Sequence, residues 1–115
     1  MACRVECSVE EDVFEYRVYD DYGIGVIAYA KVTRGPGGAE IKVINVSREY
    51  RGRGVGSEVL ARIVRDHGDC LIMVETFGYL VGWYERFNFK CVCDKPLIMV
   101  RSPGGGFRLP RISPP

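Results

Sequence analysis

Apolar and polar residues alternate at a period of two through most of this chain, and the period changes clearly only in the middle. Residues 13–19 put Phe14, Tyr16 and Val18 on one face and Val13, Glu15, Arg17 and Tyr19 on the other, which predicts a half-buried strand. A weaker alternation over residues 3–9 predicts a strand before it, across the polar break Glu10-Glu11-Asp12. Asp20-Asp21-Tyr22-Gly23 reads as a turn, and residues 24–32 as the returning strand of a hairpin. Arg34-Gly35-Pro36-Gly37-Gly38 reads as a loop and residues 40–46 as the next strand. The period then lengthens. Val55, Val59, Leu60, Ile63 and Val64 share one face at helical spacing, which predicts a helix over residues 54–67 with Gly68 as its C-cap. Arg62, Arg65 and His67 suit the negative end of that helix, and His67 is read as a dipole partner rather than a catalyst. Residues 71–75 form a continuous apolar run ending in an acid, the signature of a buried, parallel-paired strand. Residues 79–87 read as a short helix whose Tyr79, Trp83, Phe87 and Phe89 side of the chain packs on the sheet. Residues 89–93 and 97–101 read as a closing hairpin around Asp94-Lys95-Pro96.

This order predicts an α/β (α+β) domain over residues 1–101, with a mixed, mostly antiparallel twisted sheet of about six to seven strands and two helices. Residues 102–115 are rich in Pro, Gly and Arg and are expected to be a disordered tail. At 115 residues the chain has room for one modest core. Its net charge of +1 implies no bulk pull toward nucleic acid or membrane. No apolar run has the length of a membrane span and no secretory leader is visible, so a cytoplasmic protein is expected. Five cysteines are an odd number for a disulfide framework, and with no C-x-x-C pair and His67 as the single histidine no metal site is expected. Cys70 reads as a small core residue, while Cys91 and Cys93 read as sharing one strand face. A disulfide at Cys3 or Cys7 stays open for a hyperthermophile source.

The change of period is also where the chemistry gathers. Strand, glycine loop and helix follow one another through Val43 to His67, the geometry of an anion site. Gly54 and Gly56 let an anion approach the backbone, and Arg51 and Arg53 flank it. A P-loop would carry Lys and then Ser or Thr after its last glycine, where this chain has Ser57-Glu58. A dinucleotide fold would carry G-x-G-x-x-G, where Gly52, Gly54 and Gly56 give G-x-G-x-G.

Arg51-Gly52-Arg53-Gly54-Val55-Gly56, entered through Glu49-Tyr50, resembles the R/Q-x-x-G-x-G/A loop of the GNAT superfamily of N-acetyltransferases. Gly82-Trp83-Tyr84-Glu85-Arg86-Phe87-Asn88-Phe89 is similar to that family's later Y-E-[KR]-x-G-F segment, in the family's order and near its spacing. The resemblance covers residues 14–100. It implies a GNAT-like fold and acetyl-CoA as co-substrate, its pyrophosphate held by Arg51, Gly52, Arg53, Gly54, Val55, Gly56 and Ser57. It implies that backbone groups of Asn45, Val46 and Ser47 pair with the pantetheine arm, and that Tyr84 protonates the departing thiolate. Glu40 stands where the histone-acetyltransferase branch carries its general base, with Glu75 or an ordered water as alternatives. The acceptor is then a primary amine, on a small molecule or a protein, attacking directly in a ternary complex.

Departures from the family pattern bear on the site. The Asn that many relatives carry before the tyrosine is Phe77 here, and the glycine before the last aromatic is Asn88. Too little chain precedes Phe14 for the family's usual front pair of helices, which wall the acceptor site. A second subunit, as in a homodimer, or the tail is then needed to complete the pocket. Competing readings are ping-pong transfer through Cys91 or Cys93, a non-catalytic acetyl-CoA binder, and nucleic-acid binding through Arg48, Arg51 and Arg53. The near-zero net charge speaks against the last.

Overall fold

The computed structural model describes residues 4–104. Strands β1 (Val5–Glu10), β2 (Val13–Tyr19), β3 (Val26–Gly35) and β4 (Gly38–Val46) come first. Helix α1 (Val55–His67), strand β5 (Ile72–Glu75), helix α2 (Val81–Glu85) and the hairpin β6 (Lys90–Asp94) and β7 (Leu97–Arg101) follow. They form a seven-stranded sheet in the order β1-β2-β3-β4-β5-β7-β6. Every pairing is antiparallel except β4 with β5. This is the mixed, mostly antiparallel sheet with two helices that the alternation pattern led us to expect. Among the described residues no helix is long and apolar enough to cross a membrane. Cys3 and the tail beyond residue 104 lie outside the described residues.

The α1 stripe of Val55, Val59, Leu60 and Ile63 is buried on one face of the sheet. Opposite it β3 offers Ala28, Ala30 and Val32, also buried, and the small alanines let the helix backbone come close. Burying each such branched side chain contributes about 1.5–3 kcal/mol. The other face of β2 and β3 carries Glu15, Arg17 and Tyr29, where the Tyr29 hydroxyl donates to Glu15 and Arg17 lies 3.3 Å from the same carboxylate. That polar face suits water. A tight turn at Glu11-Asp12 joins β1 to β2, with Glu11 at φ 54°, so no helix pair stands between these strands.

The loop expected over residues 34–38 is shorter than its composition suggested. Arg34 pairs with Ala39 and Gly35 with Gly38, which leaves Pro36-Gly37 as the turn. Gly38 has φ +129°, and a Cβ there would lie 2.3 Å from the Leu71 carbonyl oxygen, so only glycine fits. A bulge then falls in β4: Ile41 pairs with Val32 but Val43 with Lys31, leaving Lys42 as the extra residue. Ala39 and Ile41 face the core before it, and Ile44 and Val46 turn toward the core after it. A second bulge, in β6, pairs Cys91 with Met99 and Cys93 with Ile98, so the cysteines point to opposite faces rather than sharing one. Cys70 is only half-buried, its thiol donating to the His67 carbonyl.

His67 departs furthest from its sequence reading. It is fully buried, with Nε2 3.0 Å from the Tyr16 hydroxyl and Nδ1 3.3 Å from Arg34. The Tyr16 hydroxyl donates onward to Asp66 at 3.0 Å. Because a guanidinium can only donate, Nδ1 accepts, Nε2 carries the proton, and the ring is neutral. Burial, with the nearby Arg34 charge, holds His67 below its ordinary 6.5, so it is no cationic partner for the helix dipole. A histidine depressed in the folded state adds stability that is complete above 6.5 and is lost as the pH falls toward its folded pKa. The unfolding temperature followed by circular dichroism is therefore expected to fall as the pH drops below about 6.5, and His67→Gln to flatten that slope.

Candidate active site

The bulge at Lys42 determines where the site opens. The parallel β4–β5 ladder runs only from Ala39↔Ile72 to Ile41↔Val74. Beyond it the strands part, and the edge of residues 42–46 that faces β5 has no strand partner. An extended polar chain can add there as a strand would, through main-chain hydrogen bonds.

At the far end of this edge lies the start of α1. The left-handed Gly54, at φ +85°, turns the chain into the helix, and the first helical bond runs from Glu58 N–H to Gly54 C=O at 3.0 Å. The N–H groups of Val55, Gly56 and Ser57 are thus left without an intrahelical acceptor, at the positive end of the helix. They open on a cleft of about 600 Å³ lined by Asn45, Val46, Arg51, Gly52, Gly54, Val55, Gly56 and Ser57. Tyr50, Leu80, Trp83 and Arg86 line it too. Arg51 Nε donates to the Val46 carbonyl at 2.8 Å, which pins the guanidinium at the strand end. Trp83 Nε1 donates to Ser57 Oγ at 3.0 Å and ties α2 to the first turn of α1. Of the residues expected to hold the pyrophosphate, Arg53 alone is not in the lining; its guanidinium sits over the Tyr50 ring at 5.3 Å.

Where β4 and β5 part, a smaller cavity of about 210 Å³ adjoins the cleft. Ile44 and Leu80 line both parts, and Tyr84, Thr76, Glu75 and Phe77 line the second. Tyr84 is 1% exposed, its ring edge-on to Trp83 and Phe89. Burial pushes its phenol up to about 12, opposed in part by the Thr76 hydroxyl. Tyr84 is therefore protonated at neutral pH and able to give a proton. Glu75 is the carboxylate in this lining. Glu40 is not in it; its carboxylate lies 3.4 Å from Lys42 Nζ. Tyr79 does not pack on the sheet as expected but stands exposed, stacked on Phe77 at 5.9 Å. Among the described residues no group of three or more His, Cys, Asp or Glu side chains is arranged for a metal ion.

Tyr50, Trp83, Arg86 and Thr76 were not singled out as site residues from sequence. Trp83 and Arg86 flank Tyr84 within the motif. Thr76 carried a signal: it follows Ile72 and Val74 at a period of two, a hydroxyl on the core face.

Residues 7–89 match the model of the acetyltransferase (GNAT) family. No curated relative matches the sequence. Among solved structures, an acyl-CoA N-acyltransferase from Pseudomonas aeruginosa is similar, with a TM-score of 0.69 and 19% identity over 82% of this chain and 71% of that one. NAA60 from Arabidopsis thaliana, in complex with a bisubstrate analogue, is similar with a TM-score of 0.67 and 14% identity, over 83% of this chain and 78% of that one. The N-acetyltransferase YlbP of Bacillus subtilis, in complex with coenzyme A, has a TM-score of 0.65 and 17% identity, over 77% and 67% of the two chains.

Proposed function

This chain belongs to the acetyltransferase (GNAT) family, and we propose that it moves an acetyl group from acetyl-CoA to a primary amine by direct attack in a ternary complex. The observation that carries this reading is two adjoining cavities that share Ile44 and Leu80: one opens on the free N–H groups at the start of α1 and the end of β4, the other is lined by Tyr84. The residues present fit acetyl-CoA: free N–H groups and Arg51 for phosphates, a strand edge for an amide-bearing arm, and apolar Ile44, Val46 and Leu80 for its methylenes. When bound there, acetyl-CoA supplies the activated acyl group.

This chain's own residues supply the rest. The amine nitrogen forms a bond to the acyl carbon while the carbon–sulfur bond breaks. The sulfur takes the proton of the Tyr84 hydroxyl, which recovers one from solvent. The nitrogen gives up its extra proton to Glu75, directly or through water. Glu40, held by Lys42 outside the cavity, is the less suited base. The free thiols Cys7, Cys70, Cys91 and Cys93 suit a reducing, cytoplasmic setting. With no helix pair between β1 and β2, the acceptor side is open, and a second copy of the chain would supply the missing wall.

Thiol release from acetyl-CoA tests this reading. It is measured with a small primary amine, a peptide bearing a free N-terminus and a peptide bearing one lysine with its N-terminus blocked. Release above the hydrolysis background with at least one of them is expected. Tight binding of acetyl-CoA with no acceptor-dependent release would instead make the chain a non-catalytic binder.

A further inference from the structure

One shielded hydroxyl in the core of this protein makes no complete hydrogen bond among the described residues. Thr76 is 8% exposed, and the hydroxyl is its Oγ1. Its backbone is fixed, with the Thr76 N–H donating to the Leu97 carbonyl at 3.0 Å, so the side chain is held where the end of β5 directs it. Ile72 and Val74, on the same face of the strand, are apolar and buried, as such a position normally requires. A shielded hydroxyl without a partner destabilises a fold relative to an apolar group of the same shape. Valine has that shape, so packing alone does not account for threonine here.

What Thr76 faces gives the reason. It lines the small cavity with Tyr84 and lies close enough to oppose the rise in that phenol's pKa. A thiolate titrates near ~8.5, so a buried phenol is a weak acid for it unless the phenolate left behind is stabilised. We propose that Thr76 is a positioning residue for Tyr84, its hydroxyl donating to the phenol oxygen so that the phenol's own proton points into the cleft. When the Tyr84 proton passes to the departing sulfur, the Thr76 hydrogen bond stays on the phenolate oxygen and shortens. No proton of Thr76 is consumed. This inference rests on the proposed acid role of Tyr84 and adds to it the group that makes a buried phenol serviceable.

The test uses Thr76→Val, Thr76→Ser, Tyr84→Phe and the double variant, each assayed for transfer, for acetyl-CoA affinity and for thermal unfolding without ligand. Thr76→Val is expected to lower kcat about tenfold or more, with the KM for acetyl-CoA unchanged. It should unfold close to the temperature of the parent, because the incomplete hydrogen bond of the resting protein adds little to the fold. Thr76→Ser, which keeps the donor, should restore most of kcat. In the Tyr84→Phe background, Thr76→Val should cost nothing further, since the group it serves is gone. A full rate for Thr76→Val beside an impaired Tyr84→Phe would overturn the inference and leave the acid role standing. The same loss from Thr76→Val in both backgrounds would overturn it as well. A full rate for Tyr84→Phe would remove the acid role and this inference together.

Discussion

Tyr84→Phe lowers kcat for acetyl transfer by about a hundred- to ten-thousandfold, the range that a positioned general acid contributes, and leaves acetyl-CoA affinity close to that of the parent. The split follows from geometry. Tyr84 is not among the residues that line the larger part of the cleft, where the phosphates are proposed to bind, and it meets the groove only at its inner end. Removing one oxygen from a ring that keeps its edge-on contacts with Trp83 and Phe89 leaves the core filled. The buried phenol, held near 12, is protonated at any working pH, so the loss does not depend on pH across the neutral range. Steady-state kinetics paired with an acetyl-CoA titration checks it. Equal losses in affinity and rate would make Tyr84 a binding residue and not an acid.

Gly56→Asp weakens the response to acetyl-CoA by the opposite route, leaving chemistry intact and placing a negative charge in the cradle. A Cβ at Gly56 would meet Val46 Cγ2 at 3.4 Å and Trp83 Cζ2 at 3.5 Å, near ordinary contact, so the side chain is tolerated. An acid in the first turn of a helix is favourable to the fold by about 0.3–1 kcal/mol through the helix dipole. The same carboxylate stands where an anion would lie. At an effective dielectric near ~20, two unit charges about 6 Å apart repel by about 2.8 kcal/mol, or about a hundredfold in affinity. The expected outcome is a protein at least as stable as the parent that binds acetyl-CoA about a hundredfold more weakly. Gly56→Ala, tested by the same calorimetric titration, should lose far less. Weak binding in both would point to shape and not to charge.

The elements that follow from local periodicity were legible in the sequence. β2 and β7 span the residues expected, and α1 begins one residue later than expected. Its buried stripe of Val55, Val59, Leu60 and Ile63 is the one that helical spacing marked out. What stayed hidden depends on contacts between distant segments. Residues 40–46 admit either parity, and only pairing with β3 puts the bulge at Lys42 and parts β4 from β5. Gly38 looked like loop composition, and its close approach to Leu71 depends on a neighbouring strand. His67 carried the spacing of a last-turn cation but meets Tyr16 and Arg34, which arrive from β2 and β3. For the proposed site, the glycine loop and the tyrosine motif mark residues that line the cleft and the adjoining cavity. Its middle, with Thr76 and Glu75 beside Tyr84, needed the fold to bring three elements together.

Ligand-dependent thermal unfolding of the unmodified protein tests the central claim, that the groove between β4, α1 and α2 holds acetyl-CoA. Acetyl-CoA is compared with coenzyme A, ATP and NAD, each at the same concentration. A ligand at about a hundred times its Kd adds about 2.7 kcal/mol to the folded state, a rise of several degrees for a domain of this size. The account predicts that rise with acetyl-CoA and with coenzyme A, and none with ATP or NAD. An unchanged unfolding temperature with acetyl-CoA, or an equal rise with ATP and NAD, would contradict it: the glycine turn would then be a structural feature or a general anion site.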